Sequence, residues 1–273
     1  MKAEVYSIEG KKMKEIDLPP VFGEEYHPNL IKRAVISIQS AGMQAKGAMP
    51  KAGRQTTATY IGMRGLPPFR RTINVDKARK PRTKHRRELL YGDVRGIPGV
   101  VKGPRAHPPK AKKILIEKIN RKEKRKALDS AIAATARIDL VKKRGHKVKE
   151  GTKLPLVIEE KFEELKKTKE VISVLKKLFL IEDVKRAKNR KNVRAGKGKK
   201  RGRRYKKAKS ILIVTGSKRK ENYVFKAARN IEGIDIIQAR NLNAELLAPG
   251  AQAGRLTLWT ESAIKELGER NQK

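Results

Sequence analysis

Glu159, Glu160, Glu163 and Glu164 lie close together just after an apolar run, so two of them could in principle pair for general acid–base chemistry. We read them instead as a solvated helix start favoured by the helix dipole. A second candidate is Thr215-Gly216-Ser217-Lys218, where a strand should end before a helix, the position at which α/β proteins hold phosphates. A dinucleotide fingerprint needs three spaced glycines and a P-loop needs a Gly-Lys-Ser or Gly-Lys-Thr ending. GSKRKEN supplies neither, so helix capping is the reading. The run Gly196 to Gly202, GKGKKRG, resembles a glycine-rich loop but follows basic residues and offers no hydroxyl for magnesium. Phosphate contact by lysine is the simpler chemistry. The four histidines, His27, His85, His107 and His146, are scattered without ligand-like spacing, and the chain has no cysteine. The sequence therefore nominates no catalytic residue, no metal ligand and no cofactor, and suggests a protein that is not an enzyme.

Charge is the dominant chemistry. The chain has 273 residues, with 69 Lys and Arg against 28 Asp and Glu, a formal net charge of +41. A chain this basic needs a polyanion, and nucleic acid is the first candidate. A membrane is the second, but ILIVT at Ile211 to Thr215 and LFLI at Leu178 to Ile181 are far short of the roughly 20 apolar residues a span requires. The first residues, MKAEVYSIEG, alternate charged and apolar types and do not read as a secretory signal. The expectation is a cytoplasmic protein with no membrane partner.

The charge is concentrated. Lys46 to Lys113 holds 19 Lys and Arg against Asp76, Glu88 and Asp93, with eight of the 21 glycines and eight of the 13 prolines. Lys185 to Lys209 holds 15 Lys and Arg and no acid. These two stretches carry +31 of the +41, and neither has the apolar periodicity of a core. Both are internal, and a connection of such length inside a compact unit points to a functional extension rather than a linker. Fully extended, the first could reach about 110 Å at about 3.3 Å per residue. Aromatic residues in these two stretches are few, only Tyr60, Phe69, Tyr91 and Tyr205, so base stacking is not the main term. Arg and Lys interleaved with Gly suit phosphates in crowded places, which implies folded RNA read by shape and backbone. The candidate contacts in the first stretch are Lys46, Lys51, Arg54, Arg64, Arg70, Arg71, Arg79, Lys80, Arg82, Lys84, Arg86, Arg87, Arg95, Lys102 and Arg105. In the second they are Arg190, Lys191, Arg194, Lys197, Lys199, Lys200, Arg201, Arg203 and Arg204.

The rest reads as an α/β domain, residues 1–45 and 111–273, interrupted by the extension 46–110 and carrying the loop 185–209. Strands are expected at Leu154 to Glu160, Ser210 to Gly216, Ile234 to Gln238 and Arg255 to Thr260, with Trp259 in the core. Helical spacing joins Val171, Val174, Leu175 and Leu178, then Tyr223, Val224, Ala227, Ala228 and Ile231. A short helix near Ala244 to Leu247 has Asn243 as its N-cap, and a closing helix contains Ala263, Ile264 and Leu267. Asn29 to Met43 and the run from ILIEKIN through SAIAATARI are further helices, the second with Leu128, Ile132, Thr135 and Ile138 at helical steps. Four strand–helix units in a row predict a three-layer α/β fold: a mostly parallel four-stranded sheet with helices on both faces, plus long basic non-globular extensions.

AVISIQSAGMQAKGAMPKAGRQTTATYIGMRG (Ala34 to Gly65), KGPRAHPPK (Lys102 to Lys110), SAIAATA and the closing NLNAELLAPGAQAGRLTLWTESAI closely resemble the family of large ribosomal subunit protein four, in its archaeal and eukaryotic branch. The likeness spans nearly the whole chain. It implies a structural constituent of the large subunit that binds large-subunit ribosomal RNA early in assembly beside neighbouring ribosomal proteins. It further implies a loop rooted at Gln44 to Gln55 whose far part, Gly62 to Arg87, approaches the nascent-peptide exit tunnel. In place of the family's glycine-rich centre stand Leu66-Pro-Pro-Phe69 and the run Lys77 to Arg87. Two competing readings are a free-standing RNA- or nucleotide-dependent enzyme of doubly wound type using Ser217 or Lys218, and a regulator that binds messenger RNA.

Overall fold

The structure is a computed structural model that describes all residues except 85–88, 90, 150, 217–222 and 272–273, and the side chains of 270 and 271. It divides into two compact units, Met1–Ala41 with Glu117–Lys273, and Gly42–Ile116. The first holds a six-stranded sheet.

The four expected strands are present as β3 (Leu156–Ile158), β6 (Leu212–Thr215), β7 (Asp235–Gln238) and β8 (Thr257–Thr260), numbering strands along the chain. The expectation of four is corrected by β1 (Lys2–Tyr6) and β2 (Lys12–Asp17), an antiparallel hairpin that turns through Gly10 at φ +82°. The order is β2-β1-β3-β8-β6-β7, and every pair other than β1–β2 is parallel. The hairpin joins because Ala3 and Val5 of β1 alternate inward, and Val5 pairs with Val157.

Period-two alternation separates two cores. Val5, Val157, Leu212, Val214 and Trp259 face one side, where they meet α1 (Pro28–Ala41), α2 (Arg121–Ala136), α7 (Ala244–Leu247) and α8 (Glu261–Asn271). Leu156, Ile158, Ile213 and Leu258 face the other, where they meet Val141 of α3 (Ile138–Arg144), α4 (Thr168–Lys177), α5 (Ile181–Asn189) and α6 (Tyr223–Ala228). Burying each such large side chain stabilises by about 1.5–3 kcal/mol. Trp259 is sealed in the first core, with the Phe22 ring edge-on at 5.4 Å. Asn243 accepts from the Leu246 amide at 2.9 Å, the cap expected of it.

Some boundaries differ from expectation for local reasons. α2 begins at Arg121, seven residues after Ile114. The preceding stretch is held by α1 side chains instead: Ser40 accepts from the Glu117 amide at 3.0 Å, and Ser37 donates to the Glu117 carbonyl at 2.7 Å. Ile138 opens a new helix because Arg137 is extended and ends α2. Tyr223 is not on the buried face of α6; it is exposed, with the Lys166 ammonium 4.5 Å from its ring centre.

Candidate nucleic-acid interface

Among its described residues the unit Gly42–Ile116 has no long helix or strand, yet it is organised. Its outgoing and returning arms are tied by the Ala48 amide donating to the Pro109 carbonyl at 3.0 Å. They approach closely at Gly53, whose φ is +74° and where a Cβ would lie 2.4 Å from the Pro104 nitrogen. Only glycine fits there without displacement. Gly53→Ala is expected to part the arms, seen as faster tryptic cleavage at Lys51 and Arg54 with the sheet unit's melting unchanged.

Farther out, Thr59 and Arg82 exchange amide–carbonyl bonds at 3.2 Å, and Arg82 also bridges to Val94. Thr72 is buried, with its hydroxyl accepting from the Ile61 amide at 2.7 Å and donating to the Ile61 carbonyl at 3.0 Å. Together with buried Ile73 and Thr83, these groups form a small sealed knot rather than a periodic core.

The knot divides the candidate cations of this unit. Arg71 donates to the Arg64 carbonyl at 2.7 Å, and Arg82 donates to the carbonyls of Gly92 at 2.8 Å and Ala78 at 3.2 Å. Lys84 donates to the Arg70 carbonyl, while Arg95 reaches Asp93 at 3.3 Å and the Val101 carbonyl at 3.4 Å. These four are half-buried and shape their own segment. Lys46, Lys51, Arg54, Arg64, Arg70, Arg79, Lys80, Lys102 and Arg105 are exposed. Lys46 and Arg105 line one recess of about 610 Å³ with Lys110 and Lys112. Arg86 and Arg87 lie outside the described residues, as does His85.

The second basic stretch is less coreless than its composition implies. Its first five residues continue α5, whose Val184 and Ala187 are buried. Beyond them β4 (Asn192–Val193) and β5 (Tyr205–Lys206) pair antiparallel, joined through a 3-10 turn at Lys197–Arg201. Gly196 at φ +73° and Gly202 at φ +75° permit the entry and exit of that turn. Arg190, Lys191, Lys197, Lys199, Lys200, Arg201, Arg203 and Arg204 are exposed on this hairpin. Arg194 is half-buried and braces it by donating to the Arg203 carbonyl at 3.2 Å, and Lys191 is paired with Glu232 at 2.8 Å.

The root of the hairpin is set by a residue that composition could not single out. Asp183 of α5 is fully buried and accepts from His146 Nδ1 at 3.0 Å, Ser210 Oγ at 2.7 Å, the Lys147 amide at 3.0 Å and Arg186 Nε at 2.8 Å. Burial opposes its charge, but the hydrogen bonds from His146, Arg186 and Ser210 outweigh that and hold the carboxyl far below the usual carboxylate range. Burial pushes the His146 imidazole down, which keeps it neutral with Nδ1 donating. Arg186 also donates to the Lys209 carbonyl at 3.0 Å, so one carboxylate fixes both ends of the hairpin. Nearby, fully buried Arg255 donates to the carbonyls of Ser210 at 2.8 Å and Leu246 at 3.0 Å and pairs with Asp235 at 2.7 Å.

The glutamate cluster is corrected as well. Glu163 is buried, not solvated: it accepts from the Gly216 amide at 3.0 Å and from the Ser262 hydroxyl. Glu159 accepts from the Ile8 amide at 2.7 Å and Ser7 Oγ at 3.0 Å. These carboxylates satisfy backbone amides where β1 and β6 end; the cluster does start a helix, the short 3-10 helix Glu160–Glu164, and α4 follows at Thr168. At the β6 terminus the Gly216 amide thus meets a carboxylate of the chain itself, where a nucleotide phosphate would need it. Ser217 and Lys218 lie outside the described residues.

Among the described residues no group of three or more His, Asp or Glu side chains could hold a metal ion, and no helix is long and apolar enough to cross a membrane. What the two segments offer is dense, exposed cationic surface on small ordered supports.

Known proteins match at this scale. The sequence model of the ribosomal protein L4/L1 family fits residues 16–270. The large ribosomal subunit protein uL4 of Methanocaldococcus jannaschii is 50% identical over 270 residues, covering 99% of each chain. That of Methanoculleus marisnigri is 50% identical over 270 residues, covering 98% of this chain and 99% of its own. That of Methanosphaera stadtmanae is 44% identical over 273 residues, covering 100% of this chain and 98% of its own. Similarity that runs end to end through both the sheet unit and the basic segments shows that the chain belongs to the ribosomal protein L4/L1 family.

Proposed function

We propose that this protein is a non-enzymatic structural constituent of the large ribosomal subunit that binds large-subunit ribosomal RNA and aids its assembly. The observation that carries this reading is the exposure, on two ordered supports, of most of the cations that sequence nominated, in a chain whose full-length relatives are named as large-subunit proteins. The segment 46–110 runs into folded RNA, and its far part around Gly62 to Arg87 approaches the nascent-peptide exit tunnel. The hairpin within 185–209 clamps phosphates beside the sheet. Neighbouring ribosomal proteins and RNA cover the exposed apolar residues Leu89 and Val101 of the long segment and Ile114 just after it.

The mechanism is electrostatic. Each cation that meets a phosphate releases a condensed counterion, and Arg can bridge two phosphate oxygens with its planar fork. The tied arms and the knot reduce the ordering cost of a long segment before it meets RNA. Deleting Lys46 to Lys110 is expected to leave a folded α/β domain, because both of its cores lie outside the deletion. Cells carrying only this variant should accumulate incomplete large subunits on sucrose gradients; normal subunit yield and translation would refute the reading.

A further inference from the structure

α2 carries Arg121, Lys124 and Arg125 at the spacing that puts side chains on one helical face, and Leu128 continues that stripe. The turn Ala239–Asn241 after β7 brings Arg240 to the same place. Between them lies a groove of about 550 Å³ whose floor includes buried Leu128 and Leu242. No described carboxylate lines it. Glu123, the acid in the first turn of α2, is paired with Arg33 of α1 at 3.2 Å. Arg121, Lys124 and Arg240 are exposed, and their side chains make no ion pair or hydrogen bond with any other described residue.

In the free protein this arrangement is unfavourable. Like charges three and four residues apart on a helix repel, and cations in a first turn oppose the helix dipole. A bound polyanion reverses both. The apolar floor accommodates sugar and base edges, while the cations at its rim are placed for phosphates.

We propose that this groove is a third RNA-backbone site, on the sheet unit and lined by residues that belong to neither basic segment. The proposal rests on the functional reading above, which supplies the RNA. An acidic segment of a neighbouring protein is the other occupant that the charge would admit, and the experiment separates the two.

Because the chain has no cysteine, Asn241→Cys places a single thiol on the groove wall. The full-length variant is loaded with tethered Fe(II)-EDTA before being assembled into large subunits, and strand scission is mapped. Discrete scission of ribosomal RNA supports the proposal. A cross-link from the same cysteine to a protein, with no RNA scission, overturns it.

Full-length Arg121→Gln/Lys124→Gln/Arg240→Gln is then titrated against large-subunit ribosomal RNA across a salt series. Three lost phosphate contacts should lower the log–log salt slope by about 2 and weaken binding at least tenfold near 0.1 M salt. Arg203→Gln/Arg204→Gln is the reference for the hairpin. If the reference weakens binding and the triple variant does not, the groove proposal fails and the functional reading stands. If neither weakens it, both fail. Thermal melting monitors folding; should the triple variant melt early, Arg240→Gln alone, outside the helix, is expected to lower the slope by about 0.7, and an unchanged slope overturns the proposal.

Discussion

The affinity of this protein for large-subunit ribosomal RNA is expected to fall by about 10³ to 10⁵ between about 50 and 200 mM monovalent salt, which is the loss for about 6–10 neutralised phosphates. The exposed candidates are numerous enough for that, even after setting aside Arg71, Arg82, Lys84, Arg95 and Arg194, which brace their own segments. Neutralising different sets should have different outcomes. Arg54, Arg64 and Arg79 changed to Gln should reduce the salt slope with the segment's shape intact. Arg82→Gln should loosen the knot, because carbonyls at Gly92 and Ala78 lose their donor. Equilibrium titrations over a salt series check both. Affinity that stays within a factor of ten over this range would mean that phosphate neutralisation is not the basis of binding.

Asp183→Ala is expected to cost about 3–5 kcal/mol of stability, the usual penalty for removing one partner of a buried, hydrogen-bonded ion pair. Arg186 would lose its partner, and the buried donors of His146 and Ser210 would lose their acceptor. The consequence reaches function because Arg186 also holds Lys209, where the basic hairpin re-enters the sheet. Urea midpoints at neutral pH measure the loss. The pH dependence has a definite sign. The folded-state carboxyl is depressed, so its stabilisation is complete above the unfolded aspartate value near about 3.9 and is lost as pH falls toward the much lower folded value. His146 is also depressed, so the unfolded chain takes up its proton first and stability declines on acidification from about pH 6.5. Removing the carboxylate should flatten the acid limb below about pH 4. An unchanged midpoint in Asp183→Ala would show that the network contributes little.

The parts that were legible in sequence are those governed by near neighbours. Strand cores such as Leu212–Thr215 announce themselves by a continuous apolar run, because a parallel strand is buried on both faces. Asn243 was readable as a cap because its acceptor reaches an amide only three residues on. The two basic segments were readable as cationic surface because, beyond the α5 residues 185–189, they lack the apolar periodicity of a core. The hairpin β1–β2 went unread although Ala3, Val5 and Gly10 carried its alternation and turn, since four charged residues among Lys12 to Asp17 masked an edge strand.

The sequence by itself determined the α/β class and nominated the cations that a polyanion could meet, because charge and short-range periodicity need no knowledge of distant neighbours. The tertiary structure decided which cations are free to bind and which groups are held inside. Glu163 becomes an internal ligand through Ser262, Asp183 an anchor through His146 and Ser210, and Arg121 part of a groove through Arg240. Each depends on a partner far along the chain, and a buried charge is stable only where such partners converge.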